Sequence, residues 1–554
     1  MHMPAAQFLS QFPVNPADPI LSDLQGNILK GHGRQFTFNL FLSFKTGQTN
    51  AVRTWIANFS SVFVTTARKQ FDETQLFHDE RIPGSIFTSF FLSAEGYKYL
   101  GVADKMPGVT TDKFRAGMKA SGPALKDPNP STWSPGLNGA NGVIHAMVLI
   151  ADADVHQARS LTRAIKLSLM GKADVVAVER GVVLRNAKGE GIEHNNYVDG
   201  ISQPVFFANE LPAPGDRTKW NPQATPSLML VADPGGKDAN SMGSYFVFRK
   251  LEQNVRGFKT REKEVAKAVF NLPANEATWT EAQAEQAELI GAWAVGRFED
   301  GTPVMLHGDA TNPPLGHQEN NFDFADPNSA SKCPFFAHIR KSAARTDGAG
   351  PVFNKDKRLV RRGIPFEDKP RIRDANGDLS DKPEDQPTGG VGLLFMCYVA
   401  NIANQFEFVQ QSWVNSPDFS QPGTGKDPLI GQPAGATVYH WPTGYGANTR
   451  KDVPFGDFIT MRGGEYFFAP SLSMLQSLRP KPVITGTIAK TPSVAEQPGG
   501  PAMRNEQLLH QLNDETLFHL DPGLLQKVVV LDPMLQLFVP DKADVGAGVV
   551  NVHS

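Results

Sequence analysis

The order of apolar patterns in the first half of the chain constrains its fold more than any single motif. FTFNLFLSF (Phe36–Phe44) alternates with the two-residue period of a strand, and NAVRTWIANFSSVF after it has helical spacing. SIFTSFFLSAEGYKYLG reads as a strand running into a short helix, and GVIHAMVLIA as a buried strand. DADVHQARSLTRAIKLSLM reads as a helix with Asp152 and Asp154 as candidate N-caps. DVVAVERGVVLRN completes a β-α-β-β-α-β-like order, which predicts an antiparallel sheet with helices on one face.

Pro, Gly, Asp and Asn crowd residues 211–237, the composition of a connection between lobes. The second half then repeats the theme. SYFVFRKL and GLLFMCYVA read as strands, TREKEVAKAVF, TEAQAEQAELIGAWAVG and NQFEFVQQSWVN as helices, and GGEYFFAPS as a strand or turn. A chain of 554 residues exceeds one hydrophobic core. The expectation is an α+β protein with domains at 1–212 and 213–485. Residues 486–554, opening on GTIAKTPSVAEQPGGP, form a C-terminal extension whose role is not legible.

Several functional classes drop out. A formal net charge of -3, from 54 basic and 57 acidic residues, leaves no electrostatic footprint for nucleic acid or an anionic membrane. Two cysteines, Cys333 and Cys397, with no CxxC or CxxCH, argue against a disulfide framework, a Cys-rich zinc site and covalent c-type haem. HExxH, P-loop and dinucleotide signatures are absent. No uninterrupted apolar run is long enough to span a membrane, and no basic, then apolar leader opens the chain, so a cytoplasmic address is expected.

Three clusters remain as candidates for chemistry. In GIEHNNYVDGISQP, Asp199 is either a turn residue before Gly200 or a carboxylate held rigidly for proton transfer, in a dry pocket where burial raises its pKa. His194 fits better as a hydrogen-bonded loop histidine. In CPFFAHIRK, His338 is either a core or capping group or the single axial ligand of a haem, with Phe335 and Phe336 as apolar wall and the opposite iron position open. The histidines include no helical i, i+4 pair, which disfavours zinc or di-iron. In RLVRRGIPF, Arg358, Arg361 and Arg362 form either a solvated face or a fixed charge for an oxyanion or a haem propionate.

In order along the chain, LQGNILKGHGR, YVDGISQP, CPFFAHIRK, RRGIPF, GLLFMCYVANIANQFEFVQQSW and GGEYFFAPSLSML resemble the dye-decolourising (DyP-type) haem peroxidases, the longer members especially. The resemblance covers roughly residues 20 to 480 and not the C-terminal extension. It implies two ferredoxin-like domains, each an antiparallel sheet with peripheral helices, and non-covalent haem b in the C-terminal one. It also implies oxidation of dyes, phenols and similar reductants by hydrogen peroxide through an oxyferryl intermediate, in a monomer or homodimer. By position, the family's GxxDG motif falls on Asn196 to Gly200, with Asn196 in place of the first glycine and Asp199 as the distal acid–base group. His338 becomes the iron ligand and Arg361 the distal arginine. Arg362 is the alternative, as a haem contact, if the loop shifts by one. Glu407 is the expected acceptor of the His338 imidazole proton. A haem-handling protein with incidental activity is the alternative, but such a carrier needs neither Asp199 nor Arg361.

Overall fold

The computed structural model describes residues 19–108, 112–207, 210, 213–220, 224–480, 527 and 531. The first half supplies β1 (Phe36–Phe44), β2 (Phe87–Leu92), β3 (Ala146–Asp152) and β4 (Ala173–Val182). The second half supplies β5 (Met242–Gln253), β6 (Val360–Arg361), β7 (Ile364–Glu367), β8 (Val391–Val399) and β9 (Ile459–Ala469). They pair in the order β7-β8-β5-β9-β2-β3-β1-β4, with β6 beside β8 and the short strand Val231–Ala232 beside β5, making a ten-stranded sheet. Its pairings are antiparallel, as the sequence patterns predict.

The two halves share this sheet. Phe468 of β9 pairs with Leu92 of β2, joining them edge to edge. At the far ends, a Cβ added to Gly181 of β4 would stand 2.4 Å from the Ile364 Cγ2 of β7, so the sheet curls until its outer strands lie side by side. Strand alternation then sorts the side chains into two cores. Leu40 and Leu42 of β1 face out, against Trp55 and Phe59 of α1 (Thr49–Val62) and Leu161 and Ile165 of α2 (Val155–Ser168). Phe41 faces in, packing with Met147, Phe248 and Phe467. Phe41 and Phe248 stand 4.9 Å apart edge-on, and Phe91 and Phe246 stack at 4.4 Å. Each such pair links the two halves and adds about 0.5–1.5 kcal/mol beyond the area it buries.

The N-cap of α2 is Asp154, which accepts from the His156 N–H at 2.8 Å, while Asp152 receives the N–H of Asp154. In the second half, α3 (Val255–Phe270) and α4 (Glu281–Val295) lie over a third core containing Trp293, Phe336 and Trp441. Thr280 and Gln283 form a capping box at the start of α4. The helix expected in NQFEFVQQSWVN is wound with π geometry, over Ala403–Glu407 and Val409–Val414. Such windings recur at functional sites, and this one turns Phe406, Val409, Trp413 and Val414 onto one cavity. Of the C-terminal extension, all but Lys527 and Leu531 lies outside the described residues, and Leu531 is buried in the core under α1 and α2.

Candidate functional site

A cavity of about 300 Å³ opens in the second half, with Asp199, Arg361 and His338 all on its wall. Asp199 sits on a hairpin held by backbone bonds, its N–H donating to Gly191 O and that of Val198 to Glu299 O. Asn196 takes the left-handed conformation, φ 73°, which asparagine tolerates, and its side-chain amide donates to Asp381 Oδ1 at 2.9 Å. The turn that a glycine would form is therefore preserved.

Arg361 lies on β6, opposite Cys397 of β8. Its Nη1 donates to Asp199 Oδ1 at 3.1 Å and its Nη2 to Ser202 O at 2.9 Å. Enclosure alone would raise the Asp199 pKa, but the Arg361 guanidinium and the Gly200 N–H, 2.6 Å away, hold it below the usual carboxylate range. The upward shift expected from burial is thus reversed, because the fixed cation outweighs desolvation.

His338 opens the short helix His338–Ser342. Its Nδ1 donates to Asp427 Oδ2 at 2.8 Å, which leaves the Nε2 lone pair for whatever the cavity holds. The Asp427 side chain is fully buried, and its Oδ1 accepts from the N–H groups of Leu429 (2.8 Å) and Ile430 (3.0 Å). Burial disfavours a charged imidazole, yet the adjacent Asp427 carboxylate outweighs it and raises the His338 pKa.

Two expected site residues do not join this group. Glu407 is not the acceptor of the His338 proton: its Oε1 accepts from the Tyr466 hydroxyl at 2.9 Å and its Oε2 lies 3.1 Å from Lys113 Nζ. It ties the two halves together, and the π winding directs it to that seam. Arg362 does not reach the cavity either. Its Nε donates to Asn27 O (2.7 Å), its Nη2 to Ile28 O (3.0 Å) and its Nη1 to Arg361 O (2.8 Å). Arg362 follows β6, and its guanidinium is taken up by these backbone carbonyls, so Arg361 alone of the pair lines the cavity. LQGNILKG thereby acquires a role, as the strap that receives Arg362. His194 is a structural residue, its Nε2 at 2.8 Å from Phe366 O.

The residue that sequence reasoning missed is Asp427. It lies 89 positions from His338, and its one local signal was KDPLI, where an Asp can accept N–H groups two and three residues on.

The donor set fits a haem. One imidazole nitrogen is free toward an apolar cavity, an Arg–carboxylate pair lines the same cavity, and Lys355, Lys357 and Arg358 line it with the positive charge that porphyrin carboxylates need. Leu251, Leu393, Phe395 and Leu429 supply apolar surface for the ring. The cavity and its polar groups suit peroxide chemistry on a prosthetic group.

Similarity to known proteins agrees with that class. The model of the DyP dimeric alpha+beta barrel domain matches residues 23–183, and that of the Dyp-type peroxidase C-terminal domain matches residues 214–422. The chain belongs to the DyP-type peroxidase family. It is 38% identical over 478 residues to the multifunctional dye peroxidase DyP2 of Amycolatopsis sp., covering 83% of this chain and 96% of that protein. It is 31% identical over 407 residues to the dye-decolorizing peroxidase msp1 of Mycetinis scorodonius, covering 70% and 75%. Among solved structures, the DyP-type peroxidase of Anabaena sp. superposes with a TM-score of 0.75 at 38% identity, covering 85% of this chain and 99% of that one. The protein is a peroxidase acting with hydrogen peroxide on dyes, and DyP-type peroxidases are haem enzymes. Among the described residues, no helix is long and apolar enough to cross a membrane.

Proposed function

We propose that this chain binds haem b non-covalently in the 300 Å³ cavity, with His338 Nε2 on the iron, Asp199 as the acid–base group for peroxide and Arg361 as its electrostatic partner. The observation that carries the reading is the His338–Asp427 bond, which fixes the imidazole tautomer so that the basic nitrogen faces the cavity. When bound, the haem supplies the oxidising power that splits the peroxide O–O bond and then draws electrons from phenols or dyes.

The remaining work falls to the protein. Asp427 accepts the Nδ1 proton and gives the imidazole anionic character, making it a stronger donor. Asp199, kept ionised by Arg361, takes a proton from one peroxide oxygen and returns it to the other, which leaves as water. Arg361 holds that carboxylate in place and stabilises negative charge as the O–O bond lengthens. Arg362 fixes the Arg361 carbonyl, and so the strand position from which the guanidinium projects.

Absorption spectra of the haem-reconstituted protein and of His338→Ala test this assignment. A Soret band in the wild type and a shifted, weakly retained one in the variant are expected. An unchanged spectrum in His338→Ala excludes His338 as ligand.

A further inference from the structure

The short helix that begins with His338 carries a second buried charge one turn on. Lys341 is fully buried, and its Nζ donates to Phe419 O at 2.6 Å, Ser416 O at 2.7 Å and Trp413 O at 3.4 Å. Three carbonyls around one nitrogen match the three donors of an ammonium, where a neutral amine has only two. Building on the assignment of His338 to the haem iron, we propose that Lys341 is a positioning residue that acts through Asp427: its buried charge is the counter-cation of that carboxylate and sets how far His338 yields its Nδ1 proton, and with it the reduction potential of the haem.

The carbonyls gathered by Lys341 belong to residues 413–419, and the same loop holds the segment of Asp427. Val414 O accepts the Asp427 N–H at 2.8 Å, and Pro417 O accepts the Gly425 N–H at 2.8 Å. Asn415 Oδ1 accepts the Gln432 N–H at 2.8 Å, so the segment is fastened on both sides of Asp427. His338 is tied to the same ammonium through the helix the two residues share. The imidazole and its acceptor are thus both positioned from one group.

The surroundings make that charge effective. The Trp413 and Phe419 rings stack at 5.1 Å, Phe408 meets Trp413 edge-on at 5.5 Å, and Lys341 Nζ lies 5.9 Å from the Phe419 ring. A charge under such cover is screened far less than one at the surface. Burying an ammonium is costly, and neutral donors would serve the carbonyls without that cost. The positive charge is therefore the part of Lys341 that a purely structural stitch does not need.

Burial lowers the Lys341 pKa to about 8, against the pull of Asp427 and Asp418, and leaves the side chain charged at neutral pH. The attraction is mutual: as Asp427 favours the ammonium, the ammonium favours the ionised Asp427. With the carboxylate stabilised as an anion, the shared proton stays on His338 Nδ1. Without the cation, the carboxylate draws that proton toward itself and the imidazole gains anionic character. Asp427 strengthens His338 as a donor, and Lys341 limits the effect. Arg361 and Asp199, the other charged groups acting on His338, are unchanged in the variants below.

The test uses haem-loaded wild type, Lys341→Met, Lys341→Gln, Lys341→Arg and the double variant Lys341→Met/Asp427→Asn. Resonance Raman spectroscopy of the reduced proteins gives the iron–imidazole stretch, and spectroelectrochemistry gives the ferric–ferrous potential. Lys341→Met and Lys341→Gln should move the stretch to higher frequency and the potential down, while Lys341→Arg, which keeps the charge, should stay near the wild type. In the double variant the stretch should equal that of Asp427→Asn alone, because the route through the carboxylate is gone. Lys341→Gln keeps N–H donors for the carbonyls and carries the test where the Met variant does not fold. If Lys341 were only a stitch, its loss would let Asp427 drift from His338 and the stretch would fall. That result, or a stretch and potential unchanged in both neutral variants, overturns the proposal. A wild type with no iron–imidazole stretch overturns the ligand assignment itself, whereas a stretch indifferent to Lys341 overturns this inference alone.

Discussion

The Nδ1 of His338 stands 2.8 Å from Asp427 Oδ2, and that carboxylate is itself fastened by the N–H groups of Leu429 and Ile430. A buried anion held from two sides fixes both the tautomer and the direction of the imidazole. Asp427→Asn should keep the fold, weaken the donor strength of His338, lower the iron–imidazole stretching frequency and cost about 10–100-fold in activity. Resonance Raman spectroscopy of the reduced holoenzyme reads the first effect directly.

Glu407→Gln is the contrasting variant. It should leave the iron–imidazole stretch unchanged, because Glu407 meets Tyr466 and Lys113 and not His338. Its cost is in stability, about 1–3 kcal/mol for disturbing a buried charged hydrogen bond, seen as a lower denaturation midpoint.

Asp199 contributes a pH dependence of known sign. Its folded pKa lies below the unfolded value, so its contribution to stability is present above the unfolded carboxylate pKa and is lost as pH falls through the depressed folded one. The base form persists well into acid, so peroxide consumption should hold up on the acidic side and fail only when the carboxylate is protonated. Arg361→Leu removes the cause of the depression, and the acid limb of the pH–rate profile should move upward in pH.

Arg362→Met takes the guanidinium donor away from three carbonyls, of Asn27, Ile28 and Arg361, the last of which keeps the Gln203 amide at 3.3 Å. A loss of about 1–3 kcal/mol is expected in chemical denaturation. The rate with peroxide should fall as well, since Arg361 loses one fixed point.

Much of the scaffold is legible in the sequence. The period-two alternation in FTFNLFLSF and the cap at Asp154 each turned up where the pattern placed them. The closure of both halves into one sheet was not legible, because it depends on a pairing between Phe468 and Leu92, far apart in sequence. At the candidate site, Asp199, His338 and Arg361 were singled out by local motifs whose roles came from the resemblance, and all three line one cavity. Glu407, assigned by its position in the resemblance, and Arg362, the alternative to Arg361, are not at the site for a physical reason: their partners, Tyr466 and Lys113 for Glu407 and the carbonyls of Asn27 and Ile28 for Arg362, are remote in sequence. Asp427 was invisible because its partner is remote, and the direction of the Asp199 shift needed the distance to a guanidinium.

The most direct test of the account is rapid mixing of the haem-loaded enzyme with one equivalent of peroxide, following the Soret band in the wild type and in Asp199→Asn. The account predicts a fast spectral conversion in the wild type and one slowed by about 10²–10⁴-fold in the variant, the usual contribution of a positioned acid–base group. Equal rates in the two proteins would contradict the assignment of Asp199 as the group that moves the peroxide proton.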